Sequence, residues 1–175
     1  MSTWNPLNCK THFSLLKGFS KCSQLAVRCK EYGYTACGIA DIKTISGAVD
    51  FHKSCKQEGI KPIIGCDFED FILYAKNKNG WFDLIKYFSS QDLETLKAIA
   101  KNNNTICVAY NASGLQKLFA ESYINWSPQN NEVFYVDKED AECHRVMLCS
   151  GMKTNLKKVR KKIQDKEDLE NEKFS

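Results

Sequence analysis

Two aspartates close apolar runs that read as buried strands. Asp41 follows Ala36 to Ala40, and Asp67 follows Ile63-Ile-Gly-Cys66. The C-terminal ends of parallel strands are where α/β folds place their chemistry. Carboxylate oxygens there are what a hard ion such as Mg2+ or Mn2+ takes as ligands.

Other chemistry-bearing residue types offer less. The nine cysteines are odd in number and scattered, with no C-x-x-C pair. A structural zinc site is therefore not expected, and most of them read as small buried hydrophobes in a reducing compartment. The three histidines, His12, His52 and His144, lie far apart in sequence and read as structural or exposed. Lys157, Lys158, Arg160, Lys161 and Lys162 form a basic run, and acidic residues follow it. A solvated helix or a disordered tail is the plain reading; contact with nucleic-acid phosphates or an acidic partner is the functional one.

The elements that would position the aspartates are periodic. Ser46 to Phe68 reads as a helix followed by a buried strand. Ser46 is its expected N-cap, Ala48, Val49, Phe51 and Cys55 its apolar face, and Gly59 its stop. Ile60, Ile63 and Ile64 then form an interior strand with Pro62 near its start. Before this unit, Leu7 to Lys10 reads as a first strand, and Lys21 to Tyr32 as a helix capped by Ser20. After it come a strand over Phe71 to Ala75, a polar turn over Lys76 to Gly80, and a helix over Trp81 to Phe88. Asp92 caps a further helix with Leu93, Leu96 and Ile99 inward. A strand over Thr105 to Ala109 and a helix over Ser113 to Glu121 lead into an irregular stretch, Tyr123 to Asn131. A strand over Glu132 to Val136 and a helix over Lys138 to Cys149, with Val146 and Met147 apolar, complete the series. Strands alternating with helices predict parallel α/β construction.

The 175 residues are most economically one domain, residues 1–153, with a charged tail over 154–175. A hydrophobic fraction of 43% with 26% charged residues is that of an ordinary globular protein, and a net charge of +4 permits nucleic-acid binding without demanding it. The N-terminus is polar, and no apolar run approaches the roughly 18 residues that span a bilayer. A cytoplasmic protein with no membrane contact is expected.

Five stretches together resemble one family. They are Thr11-His-Phe-Ser-Leu-Leu-Lys-Gly, Gly38-Ile-Ala-Asp, Ser46-Gly-Ala-Val-Asp-Phe, Gly59-Ile-Lys-Pro-Ile-Ile-Gly-Cys-Asp, and Asp137-Lys-Glu-Asp-Ala-Glu-Cys-His-Arg-Val-Met-Leu-Cys. In this order they resemble the N-terminal PHP (polymerase and histidinol phosphatase) domain of bacterial DNA polymerase III alpha subunits. The resemblance implies a distorted (βα)7 barrel, here shortened or incomplete, whose strand ends gather histidines and carboxylates around up to three metal ions. Active members are phosphoesterases.

Carried over position by position, the resemblance loses its metal ligands. The His-x-His of the first strand falls on Asn8 and Lys10. The Asp-His pair falls on Asp41 and Ile42, the glutamate after Ile-Ile-Gly-Cys on Asp67, and the late Asp-x-His on Glu132 and Phe134. Ile42 and Phe134 cannot ligate an ion, and Lys10 brings a positive charge to a cation's place. Lys10 is expected either to pair with Asp41, Asp67 or Glu132 as a salt-bridged plug, or to point to solvent.

These substitutions predict a non-catalytic protein with no cofactor, working by protein interaction with the replication machinery, either by docking on a polymerase III-type replisome or by mimicking part of it. Tyr123 and Trp126 are candidate contacts. The Lys- and Asn-rich composition and shortened form suit a phage protein acting in the host cytoplasm. Two alternatives stand beside it. One is a residual hydrolase holding Mg2+ or Mn2+ on Asp41, Asp67 and Glu132; the other is a nucleic-acid binder using the basic run.

Overall fold

The computed structural model describes residues 5–126 and 132–161. Seven strands form one sheet: β1 (Asn8–Cys9), β2 (Ala36–Ile42), β3 (Lys61–Asp67), β4 (Ile72–Ala75), β5 (Thr105–Ala109), β6 (Tyr123–Asn125) and β7 (Glu132–Val133). Their order across the sheet is β6-β5-β4-β3-β2-β1-β7. Six α-helices connect or flank them: α1 (Cys22–Glu31), α2 (Ala48–Glu58), α3 (Lys78–Ser90), α4 (Leu93–Asn102), α5 (Ser113–Phe119) and α6 (Asp140–Gly151). A 3-10 turn, Ala120–Ser122, leads into β6. Residues 156–161 are also helical, and Val159 on that turn is buried.

The sheet is mixed rather than wholly parallel. β7, β1, β2 and β3 run parallel to one another, as do β5 and β6, but β4 is antiparallel to both β3 and β5. The reason is connection length. Only residues 68–71 separate β3 from β4, a hairpin, whereas a parallel return needs a crossover of a dozen residues or more. The architecture is α/β and consistent with a PHP-like barrel, with no strand ladder joining β6 to β7 among the described residues.

Period-two alternation divides the core. Cys66, Leu73, Cys107 and Ala109 face α3, α4 and α5, while Ala40, Ile72, Tyr74 and Val108 face the other way with Ile63 and Ile106. α1 and α2 close the β1–β2 side through Leu25, Cys29, Phe51 and Cys55. On the inner face the Tyr74 hydroxyl donates to the Leu7 carbonyl at 3.1 Å. That span from β4 to the entry of β1 passes over Gly65, where a Cβ would lie 2.5 Å from the Tyr74 ring. Glycine is therefore the residue that lets the Tyr74 ring lie against β3 here.

Several local expectations hold. Gly59 ends α2 in the left-handed conformation with φ 74, and the Asp92 carboxylate accepts from Thr95 N at 2.7 Å to start α4. Others are corrected. The expected cap Ser46 bonds instead to Thr44, leaving Gly47 at the α2 N-cap. Lys21, not Ser20, begins α1, where Gln24 accepts from its N–H. Val49, Leu93 and Val146 lie on exposed helix faces, because each helix has only one covered stripe. The polar turn expected over Lys76 to Gly80 stops at Asn77, whose side chain accepts from Gly80 N at 2.9 Å and draws 78–80 into α3. Tyr123–Asn125, expected to be irregular, pairs with β5 as an edge strand. Among the described residues no helix is long and apolar enough to cross a membrane.

Gly80 and Gly114 make a test of this packing. A Cβ at Gly80 would lie 2.0 Å from the Asn104 carbonyl oxygen, whereas nothing lies within 4 Å of one at Gly114. Gly80→Ala should cost about 1–3 kcal/mol as overpacking, and Gly114→Ala should stabilise by about 0.5–1 kcal/mol through backbone entropy. Urea melts of both variants read the two signs.

Candidate functional site

β1, β2, β3 and β7 end side by side, and their register sets the site. Ile42 pairs with Asp67 across β2 and β3, and Asn8 with Glu132 across β1 and β7. Lys10, one residue beyond β1, donates its own N–H to the Val133 carbonyl at 2.7 Å. Its side chain, 0% exposed, lies under these strand ends.

The Lys10 ammonium is surrounded by acceptors. Nζ donates to Asp67 Oδ2 at 2.5 Å and to the Ala40 carbonyl at 2.6 Å, and it lies 3.7 Å from Glu132 Oε1. A buried cation thus joins three strands through a charge-assisted hydrogen bond, a carbonyl and a second carboxylate. Lys10 does not point to solvent; the salt-bridged arrangement is the one observed. Asp67 also accepts from Glu69 N at 2.7 Å through Oδ1, which fixes the turn that begins the β3–β4 hairpin.

Asp41 has a different task. It is buried, and its carboxylate accepts from Thr11 N at 2.6 Å, Thr11 Oγ1 at 2.7 Å and Ser14 Oγ at 2.7 Å. Ser14 Oγ in turn accepts from Ile42 N at 3.0 Å. Asp41 therefore folds the loop after β1 back over the end of β2. Asn8 is fully buried beside the strand ends. Thr11 and Ser14 went unread as site residues because a hydroxyl's partner in a loop has no signature in sequence.

Above these residues lies a cleft of about 770 Å³. Ile42, Asp67, Glu132 and Phe134 line it below, Leu15 and Leu16 on one side, and Leu148 and Met152 on another. His144 of α6 shares the lining. Its ring stacks on Phe134 at 5.4 Å between centroids, and Nε2 lies 2.8 Å from the Lys17 carbonyl, which ties α6 to the β1 loop. Burial pushes the His144 pKa below its ordinary value, with the Arg145 charge adding to the effect and the Lys17 bond opposing it. A sequence signal for the rim was the apolar Leu15-Leu16 pair in the loop after β1.

The PHP domain family matches residues 6–165, most of the chain. The protein belongs to the PHP domain family. It is similar to DNA polymerase III subunit alpha of Chlamydia muridarum, 30% identical over 142 residues, covering 64% of this chain and 11% of that protein. The same subunit of Campylobacter jejuni is 36% identical over 107 residues, 52% of this chain and 9% of the relative. That of Aquifex aeolicus reaches 48% over 61 residues, 35% and 5%. The chain spans about a tenth or less of the length of these relatives.

The residues of this PHP domain do not fit the metal centre that the resemblance implies. At the His-x-His position a buried ammonium holds Asp67, so a cation added beside that carboxylate would meet a like charge. All three donors on Asp41 come from the β1 loop and would have to be displaced before it could ligate. Ile42 and Phe134 carry no ligand atom. Burial pushes the Cys66 thiol, next to Asp67, up to about 12.

The candidate contacts divide as follows. Tyr123 is half-buried, its hydroxyl donating to the Ala109 carbonyl at 3.1 Å, and half-buried Trp126 packs near Val108 and Tyr74. Lys157, Lys158 and Lys161 are exposed, whereas Arg160 pairs with Glu142 at 2.6 Å. Lys162 lies outside the described residues.

Removing one partner of the buried pair should expose its dependence. Lys10→Met leaves Asp67 buried without its ammonium and should cost about 3–5 kcal/mol, while Lys10→Met with Asp67→Leu should recover most of that loss. Chemical denaturation of the three proteins measures the coupling.

His144 predicts a pH effect. Its folded pKa lies below the unfolded value of about 6.5, so between the two the unfolded chain binds more protons and stability rises with pH. The contribution is complete above pH ~6.5 and is lost as pH falls from there through the folded pKa. The melting temperature should therefore drop more steeply on acidification for this protein than for His144→Gln.

Proposed function

We propose that this PHP domain works by binding rather than by hydrolysis, as a docking module connected with the DNA replication machinery. The observation that carries the reading is the 2.5 Å contact from Lys10 to Asp67, which puts a fixed protein cation where phosphoester hydrolysis would need a metal with an open coordination position. An ammonium has no vacant site at which to activate water. The link to replication rests on the relatives, which are replicative polymerase subunits. The cleft agrees with a recognition role, since apolar Ile42 and Phe134 line its base, and Leu15 on its wall is 80% exposed.

Two measurements test the proposal. A specific ion that binds only the folded state must raise its melting temperature, by about 5 °C or more at saturation. With Mg2+, Mn2+ or Zn2+ a change below about 1 °C is expected, together with no phosphoesterase activity. A clear metal-dependent rise with turnover would overturn the non-hydrolytic reading. In an affinity capture from bacterial lysate, nuclease-resistant recovery of a polymerase or clamp subunit is the expected result; its absence would remove the replication link.

A further inference from the structure

The β3–β4 hairpin has a consequence on the outside of the sheet. No helix is laid down between these two strands, so the surface over β3 stays open between α2 and the start of α3. A groove of about 500 Å³ occupies that gap, within the size range of ligand pockets. Pro62 and Ile64 of β3 line its base, and Trp81 of α3 lines one side.

Its charge has one sign. Lys53, Lys76, Lys78 and His52 line the groove, and no carboxylate does. Lys76 is anchored, with Nζ donating to Ser122 Oγ at 2.6 Å and to Asn103 Oδ1 at 2.7 Å, so its charge stays fixed at the wall. Lys53 and Lys78 are exposed, and among the described residues neither is held in an ion pair. The positive end of α3, 13 residues long, adds to the same field.

We infer that this groove binds single-stranded nucleic acid, with backbone phosphates against Lys53 and Lys78 and a base against Trp81. Cationic side chains beside an aromatic and apolar floor are the combination that holds a single strand, since charge takes the phosphates and the ring takes the base. An acidic peptide would use the lysines but not the apolar lining, where half-buried Trp81 and Ile64, each packed on the core by one side, still border the groove. The groove is separate from the Lys10 site and from the basic run at Lys157, Lys158 and Lys161.

The test is fluorescence anisotropy with a labelled oligothymidylate of roughly 15 nucleotides, a length within single-strand site sizes. Binding should be present at about 50 mM salt and fall steeply towards 200 mM. Lys53→Glu with Lys78→Glu should weaken it at least about tenfold, and Lys53→Gln with Lys78→Gln should weaken it less. Both pairs change exposed side chains, so melting temperatures should hold. Lys157→Glu with Lys158→Glu should leave affinity within about twofold, because phosphate contacts are lost only where they are made. Binding should also quench indole emission in the parent protein but not in Trp81→Phe, where Trp4 and Trp126 remain. No binding at 50 mM salt, an affinity indifferent to the Lys53 and Lys78 changes, or displacement by poly-glutamate at equal charge would each overturn the assignment.

Discussion

A single buried ammonium organises one end of this molecule. Taking Lys10 out of water costs several kcal/mol, which is recovered only if strong acceptors surround it. Asp67, Ala40 and Glu132 supply them from β3, β2 and β7, so the constraint is shared by three strands. Ionic contacts between strand ends in this way do what bridging metal ions do in a metal centre, namely hold carboxylates from different strands in one place. They do so without offering a coordination site. One residue at position 10 therefore both ties the strand ends together and places a fixed positive charge beside Asp67.

The hairpin after Asp67 is the second organising constraint. A link of residues 68–71 forces β4 to run against β3 and leaves the surface above them without a helix. The same turn needs Asp67 Oδ1 to accept from Glu69 N, where the chain adopts φ 75. Asp67 thus serves the plug through one oxygen and the hairpin through the other. The strand reversal, the open groove between α2 and α3 and the occupied carboxylate are linked through this one side chain.

Much of the fold was legible because it follows short-range rules. Gly59, Asp92 and the Ile63-Ile64 run are each read from local chemistry, and the structure uses them as the rules require. What escaped reading depends on partners distant in sequence. Ser46 is a good N-cap by type, but Thr44 competes for its hydroxyl. Val49 and Leu93 sit on apolar-looking helix faces, and only tertiary packing decides which stripe is covered. The direction of β4 followed from a loop length that was visible, yet the helix-strand alternation elsewhere concealed it. At the site the pairing of Lys10 was among the alternatives, but its choice of Asp67 over Asp41 was not.

That choice has a physical cause. Asp41 and Asp67 occupy neighbouring strand ends and carry the same carboxylate, yet Thr11 and Ser14 of the loop after β1 reach only one of them. Thr11 and Ser14 bring three hydrogen bonds to Asp41, which satisfies its oxygens without any cation. Asp67 receives one backbone N–H and still has an oxygen facing the interior, where an uncompensated charge would be costly. Lys10, one residue beyond β1, is within reach of that oxygen, and so the ammonium goes where the hydroxyls do not. Two equivalent residues in the sequence become a loop anchor and half of an ion pair because the chain between them assigns its donors unequally.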